Sequence, residues 1–209
     1  MKRLPESWEE LLKKQLAGLL PGEAAHEPLR AFPSGSRNFE FKNEGPPRPG
    51  AVMILICGDK FPLIRRTENG GVHSGQISLP GGRSEEGEDP VVTALRETEE
   101  EIGVPHSNIE ILGRLSPFHV IPSHYLVTPV VAKYIPDREP EFAKQDKEVQ
   151  EIILAPIMDL LSDDAIQMTE LNVRGYSISA PHFLLEGHIV WGATAMMLNE
   201  LRVIMKGSF

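Results

Sequence analysis

The chain has 209 residues, a net charge of −9 at pH 7, 41% hydrophobic and 24% charged residues. That length suits one substantial domain with additions, and the ordinary apolar content excludes a disordered or fibrous chain. The acidic balance disfavours non-specific nucleic-acid binding and adhesion to an anionic membrane. Cys57 is the single cysteine. It rules out an internal disulfide and suits a buried thiol in a reducing cytoplasm. Lys2 and Arg3 precede no apolar signal core, and no stretch approaches the ~20 apolar residues of a membrane span, so a cytoplasmic protein is expected.

In chain order, Ser7-Trp-Glu-Glu10 reads as a capping box. It opens a helix with Trp8, Leu11, Leu12, Leu16, Leu19 and Leu20 on one face, ending near Pro21-Gly22. Residues 23–50 are rich in Pro and Gly and read as an extended lead-in. Ala51–Cys57 is a short, partly β-branched apolar run, the pattern of a strand buried on both faces. Phe61–Arg65 follows as its partner after the Gly58-Asp59 turn, and Gln76–Leu79 leads to the glycines Gly81-Gly82. Further strands are predicted at Ile109–Leu112, Tyr125–Tyr134 and Glu148–Ala155, with Pro129 marking an edge or bulge. Pro156–Leu161 starts a short helix. Phe183–Leu185 and His188–Trp191 flank Glu186-Gly187 as a hairpin, and Thr194–Ile204 closes the chain as an amphipathic helix.

The most informative stretch is Gly82–Val104. Asp89 can cap a helix, Pro90 suits its first position, and Gly103 suits a left-handed stop. Val91, Ala94, Leu95, Thr98 and Ile102 recur at spacings of three and four and bury one face. Glu97, Glu100 and Glu101 stand at i, i+3 and i+4, so their carboxylates converge on a neighbouring stripe. Like charges so placed destabilise an exposed helix by roughly 0.2–0.5 kcal/mol per pair. From Glu85 to Glu101 there are eight acids and one base, Arg96. A hard divalent cation would relieve the repulsion, because Mg²⁺ takes oxygen ligands and keeps waters that a substrate can replace. A merely solvated, charge-rich helix is the alternative on composition alone.

Leu79-Pro80-Gly81-Gly82 adds a backbone able to approach a metal or phosphate closely. Gly82, Glu88 and Arg96-Glu97-Thr98-Glu99-Glu100-Glu101-Ile102-Gly103-Val104, at these spacings, resemble the signature of the Nudix hydrolases. Thr98 stands where the family usually has an aliphatic residue. The resemblance implies a Nudix α/β/α sandwich with a mixed β-sheet over residues 48–165. Residues 1–47 would then be an N-terminal helix and lead-in, and residues 166–209 a C-terminal hairpin and helix packed on the core. It implies metal-dependent hydrolysis of a phosphoanhydride, with Mg²⁺ or Mn²⁺ as cofactor. Glu97 and Glu101 become the leading metal ligands, Glu100 a ligand or base, and the Gly82 carbonyl a further ligand. Arg96 and Glu88 take orienting roles. Arg96 is expected to pair with Glu88, since neighbours at i, i+1 do not face each other on an ideal helix. An outside carboxylate is often needed, for which Glu148 and Glu151 are candidates, and a homodimer is expected.

Upstream, Leu63-Ile-Arg-Arg-Thr67 and Val72-His-Ser-Gly-Gln-Ile-Ser-Leu-Pro-Gly-Gly82 resemble the motif of the coenzyme A diphosphatase branch. Leu63, Arg66 and Gly75 are kept; Pro62, Ile64, Thr67, Gly71 and Leu79 depart from it. Trp191-Gly-Ala-Thr194 also resembles that branch. The resemblance implies cleavage of coenzyme A or a derivative to 3′,5′-ADP and 4′-phosphopantetheine. Arg66 would be the first phosphate contact, with Arg65, Arg83, His73 and Gly81 nearby. The alternatives are a Nudix hydrolase of ADP-ribose, NADH or dinucleoside polyphosphates, and a non-catalytic nucleotide sensor. Sensors commonly lose box carboxylates, whereas Glu97, Glu100 and Glu101 all remain.

Overall fold

The computed structural model describes residues 4–34, 43–68, 70, 73–173 and 175–208. Lys2, Arg3, Gly71 and Val72 lie outside the described residues. The central strand is β2 (Arg48–Ile56), as its apolar run requires. Its alternate side chains enter two cores: Ile54 and Ile56 on one face, Ala51, Met53 and Leu55 on the other. That two-sided burial is what an uninterrupted apolar strand predicts. β2 pairs in parallel with β8 (Tyr125–Tyr134) and antiparallel with β5 (Gly81–Arg83). β6 (Ile109–Arg114) and β7 (Phe118–Val120) both lie antiparallel on β8.

A second sheet runs β4 (Ile77–Ser78), β3 (Lys60–Arg66), β9 (Val149–Pro156). The third combines β1 (Phe32–Pro33), β10 (Ile166–Val173), β11 (Tyr176–Leu185) and β12 (His188–Trp191). Helix α3 (Pro90–Ile102) covers the Met53 face of β2. Helices α1 (Trp8–Leu16) and α5 (Gly192–Lys206) cover the Ile54 face. The result is the expected α/β architecture with a mixed sheet between helices. Among the described residues no helix is long and apolar enough to cross a membrane.

Several local expectations are corrected. Ser7 makes no side-chain cap, and α1 stops at Leu16, which leaves Leu19 fully exposed. Gly18 and Pro21-Gly22 account for the early stop, since the chain must turn there to start α2 (Glu23–His26). The lead-in is thus partly helical, continuing through a 3₁₀ turn at Glu27–Leu29. β3 follows β2 through the Gly58-Asp59 turn but joins it only at the Cys57–Lys60 bridge; its main partner is β9. Pro129 sits in a central strand, not at an edge. It falls between the segments of β8 paired with β6 (to Val130) and β7 (from Val127), so no amide is missed there. β10 escaped the sequence reading, because its short alternating run carries polar Gln167, Thr169, Glu170 and Asn172. The short helix after Pro156 is present as α4 (Ile157–Leu161). The Glu186-Gly187 hairpin forms as expected, both residues having positive φ, 49° and 78°.

Candidate active site

The glycines after Pro80 form strand β5 rather than a loop. A Cβ on Gly81 (φ 148°) would lie 2.5 Å from the Val52 Cα, and one on Gly82 would lie 2.6 Å from the Glu97 carboxylate. Glycine here lets β5 lie flat on β2 and lets helix α3 press its acids against that strand. α3 is fixed at both ends: Asp89 caps the Val91 amide at 2.8 Å, and Gly103 adopts the left-handed conformation. Thr98 is fully buried and returns its hydroxyl to the Ala94 carbonyl at 2.6 Å, so threonine fits the aliphatic position without leaving a polar atom unpaired.

Glu101 is 2% exposed. One carboxylate oxygen accepts the Gly81 amide at 2.8 Å, and the other accepts Arg66 Nη1 at 3.3 Å. Burial nevertheless pushes its pKa up to about 7; the Gly81 amide and Arg66 pull downward, and the charges of Glu97 and Glu148 push upward again. Glu97 is likewise raised, first by burial, with Arg96 opposing and Glu100 and Glu148 adding repulsion. Glu148 reaches this cluster from the turn before β9, which is docked on the end of α3 by the Gln145 amide to the Glu101 carbonyl, 3.0 Å. Glu151 points elsewhere: it meets Arg65 at 3.7 Å and His188 at 4.0 Å.

Arg96 holds the other side of the helix. It bonds Glu88 through Nε and Nη2, both at 3.1 Å, and donates to the Arg83 carbonyl at 3.0 Å. It also reaches Glu97 at 2.8 Å and Glu100 at 3.1 Å. The contact with Glu97 corrects the expectation from helix geometry. The i, i+1 rule concerns Cβ directions, and the long arginine chain bends back across its own turn. Arg96, first, and then the Glu85 amide hold the Glu88 carboxyl down to about 2. Glu100 is the outermost of the three helix acids, its side chain 58% exposed.

Arg66, His73, Gly81, Gly82 and Arg83 line a cavity of about 1010 Å³ that opens beside this cluster. His73 is steadied by Gln76, 3.0 Å away. Arg65 is turned from the cavity by its contact with His188 Nδ1 at 3.0 Å. The Gly82 carbonyl lies against Gly50. The cavity also takes walls from outside the motif: Tyr125 and His119 near β7 and β8, Ile178 of β11, and Trp191, Met196 and Met197 around the start of α5. Sequence reading missed Tyr125 and His119, because nothing in a local motif ties them to the glycines; only the parallel pairing of β2 with β8 does.

Among the described residues, no group of three or more His, Cys, Asp or Glu side chains is arranged so that it could hold a metal ion. The donor chemistry nevertheless fits a hard divalent ion. Glu97, Glu101 and Glu148 are oxygen donors, and the Glu148 charge adds to the burial that raises Glu97 and Glu101, a repulsion that a cation would reverse.

A model of the NUDIX domain matches residues 46–172. The chain is 32% identical over 158 residues to the Nudix hydrolase NudL of Photorhabdus laumondii, covering 74% of this chain and 83% of that protein. NudL of Yersinia pestis is also 32% identical, with 78% of its length covered. The solved Nudix hydrolase RenU of M. smegmatis superposes with a TM-score of 0.50 at 15% identity, over 78% of this chain and 89% of that one. The chain belongs to the Nudix family. It is a pyrophosphohydrolase acting on substrates that contain a nucleoside diphosphate, and hydrolases of this family generally use divalent metal ions.

Proposed function

We propose that the chain hydrolyses the diphosphate of coenzyme A or a derivative, releasing 3′,5′-ADP and 4′-phosphopantetheine. The observation that carries the reading is the position of Arg66. It is one of the residues kept from the coenzyme A diphosphatase motif, and it stands in the cavity wall against buried Glu101. Trp191–Thr194, the second resemblance to that branch, lines the same cavity, with Thr194 donating to the Ile77 carbonyl at 3.2 Å.

In this reading Glu97, Glu101 and Glu148 would hold Mg²⁺ or Mn²⁺, which would supply charge neutralisation on the phosphoryl oxygens and help to activate water. Glu100, the most solvent-accessible of the helix acids, is the candidate base. Arg66 meets a phosphate oxygen, as a guanidinium suits, and His73 and Arg83 lie within the same wall. Arg65 would act, if at all, by positioning. The described residues before 48 and after 165 are elaborations of the core, of which Glu23–Ala31 and Trp191–Met197 contribute cavity walls, and two copies form a homodimer, which light scattering tests.

Phosphate-product assays over coenzyme A, ADP-ribose, NADH and dinucleoside polyphosphates decide the substrate. Coenzyme A ranking among the poorest would overturn the assignment in favour of another Nudix substrate. Glu97→Gln and Glu101→Gln are each expected to abolish metal-dependent turnover with the fold intact. Near-normal rates at saturating Mg²⁺ would remove that residue from the ligand set.

A further inference from the structure

The cavity has two chemically different regions. Along β8, Tyr125 and Val127 point to the same face, two residues apart. Val127 and its partner Phe118 pack on the core that contains Met196 and Met197, and all four line the cavity. Tyr125 lies one step outward, at the rim, where the chain leaves the turn at residues 121–124. Its ring is close to the glycine strand, since a Cβ on Gly50 would stand 3.5 Å from the Tyr125 ring and 2.7 Å from the Gly82 carbonyl.

The rim is also firmly built. The Arg48 guanidinium sits over the Tyr125 ring, 4.2 Å from its centroid, and donates to the Ser123 carbonyl at 2.9 Å. The Arg48 amide bonds the His124 carbonyl at 2.9 Å, and His124 contacts the Gly45 carbonyl at 3.1 Å and His119 at 3.1 Å. An aromatic ring backed by a cation, held in place and lining the same cavity as Gly81, Gly82 and Arg83, is a surface on which another flat π-system stacks. The apolar recess behind it is walled by Met196, Met197 and Phe118, and the Phe118 ring is already engaged edge-to-face by His26, ring centroids 5.1 Å apart.

The geometry points to Tyr125, with Arg48 behind it, as a nucleobase-stacking subsite that places the nucleoside half of the substrate at the rim and directs the other half into the Met196–Met197 recess. This rests on the hydrolase reading above and deepens it by fixing the direction in which the diphosphate is bound.

The test compares the binding of AMP and of ribose 5-phosphate, which lacks the base, by calorimetry in Mg²⁺. AMP is expected to bind about tenfold more tightly to the wild-type protein and to Tyr125→Phe. In Tyr125→Leu the two should bind alike. In Tyr125→Trp, AMP should quench tryptophan fluorescence beyond the wild-type response while ribose 5-phosphate does not. A preference for AMP that survives Tyr125→Leu, equal binding in the wild type, or no added quench in Tyr125→Trp overturns the subsite. Coenzyme A left uncut while these AMP results hold would instead remove the substrate assignment and leave the stacking subsite standing.

Discussion

At the scale of single residues, the site depends on atoms that are missing as much as on those present. Gly82 leaves room for the Glu97 carboxylate, and Gly82→Ala would force that carboxylate aside. The expected outcome is a fall in kcat of roughly 100-fold, the size of loss that a misplacement of about 1 Å produces, with little change in the urea midpoint. Gly81→Ala should behave differently. Its new Cβ meets backbone, at Val52, and its φ of 148° does not suit alanine, so a loss of stability of at least about 1–3 kcal/mol is expected in urea titration. Cys57 supplies a contrasting case. Burial pushes its thiol up to about 12, so it should resist iodoacetamide at pH 8 in the native protein and react readily in urea.

At the scale of elements, helix α3 was almost fully legible from sequence. Its cap, proline, stop glycine and apolar spacing are local features, and each appears where the spacing puts it. The orientation of its acids was legible too, but the reach of Arg96 to Glu97 was not, because side-chain length escapes a rule about Cβ directions. β5 and β10 were lost for other reasons: two glycines carry no strand signal, and a half-exposed hairpin strand reads as polar loop. Of the two outside carboxylates, sequence could not separate Glu148 from Glu151, since both lie at the start of β9. Their surroundings separate them: the turn at Gln145 brings Glu148 to the helix end, while Arg65 and His188 hold Glu151 away.

At the scale of the whole molecule, both ends of the chain are tied together by one buried acid. Glu200 of α5 is fully buried. It accepts the Gly22 amide at 3.0 Å, the Ser116 hydroxyl at 2.6 Å and the Ser116 amide at 3.2 Å, and it contacts His26 Nε2 at 3.0 Å. Burial alone would raise its pKa, yet the bonds from His26, Ser116 and Gly22 together hold it below the ordinary value. A carboxyl depressed in the folded state contributes stability above its unfolded pKa of about 4.3, and that contribution is lost as the pH falls through the lower folded value. Glu200→Gln should therefore flatten the loss of stability below about pH 4.3, as seen by urea midpoints across that range. Glu200→Ala should cost about 3–5 kcal/mol at pH 7, because it strands buried donors. No local motif marks Glu200 in the sequence; its partners lie 84 to 178 residues away.

The same long-range closure bears on how the molecule is made. One wall of the cavity comes from Glu23 to Ala31 and another from Trp191 to Met197, so the acidic helix exists in the nascent chain well before the chamber it serves. Until the α5 segment has emerged and docked, the growing polypeptide lacks that wall, and catalytic competence is expected only once it is in place.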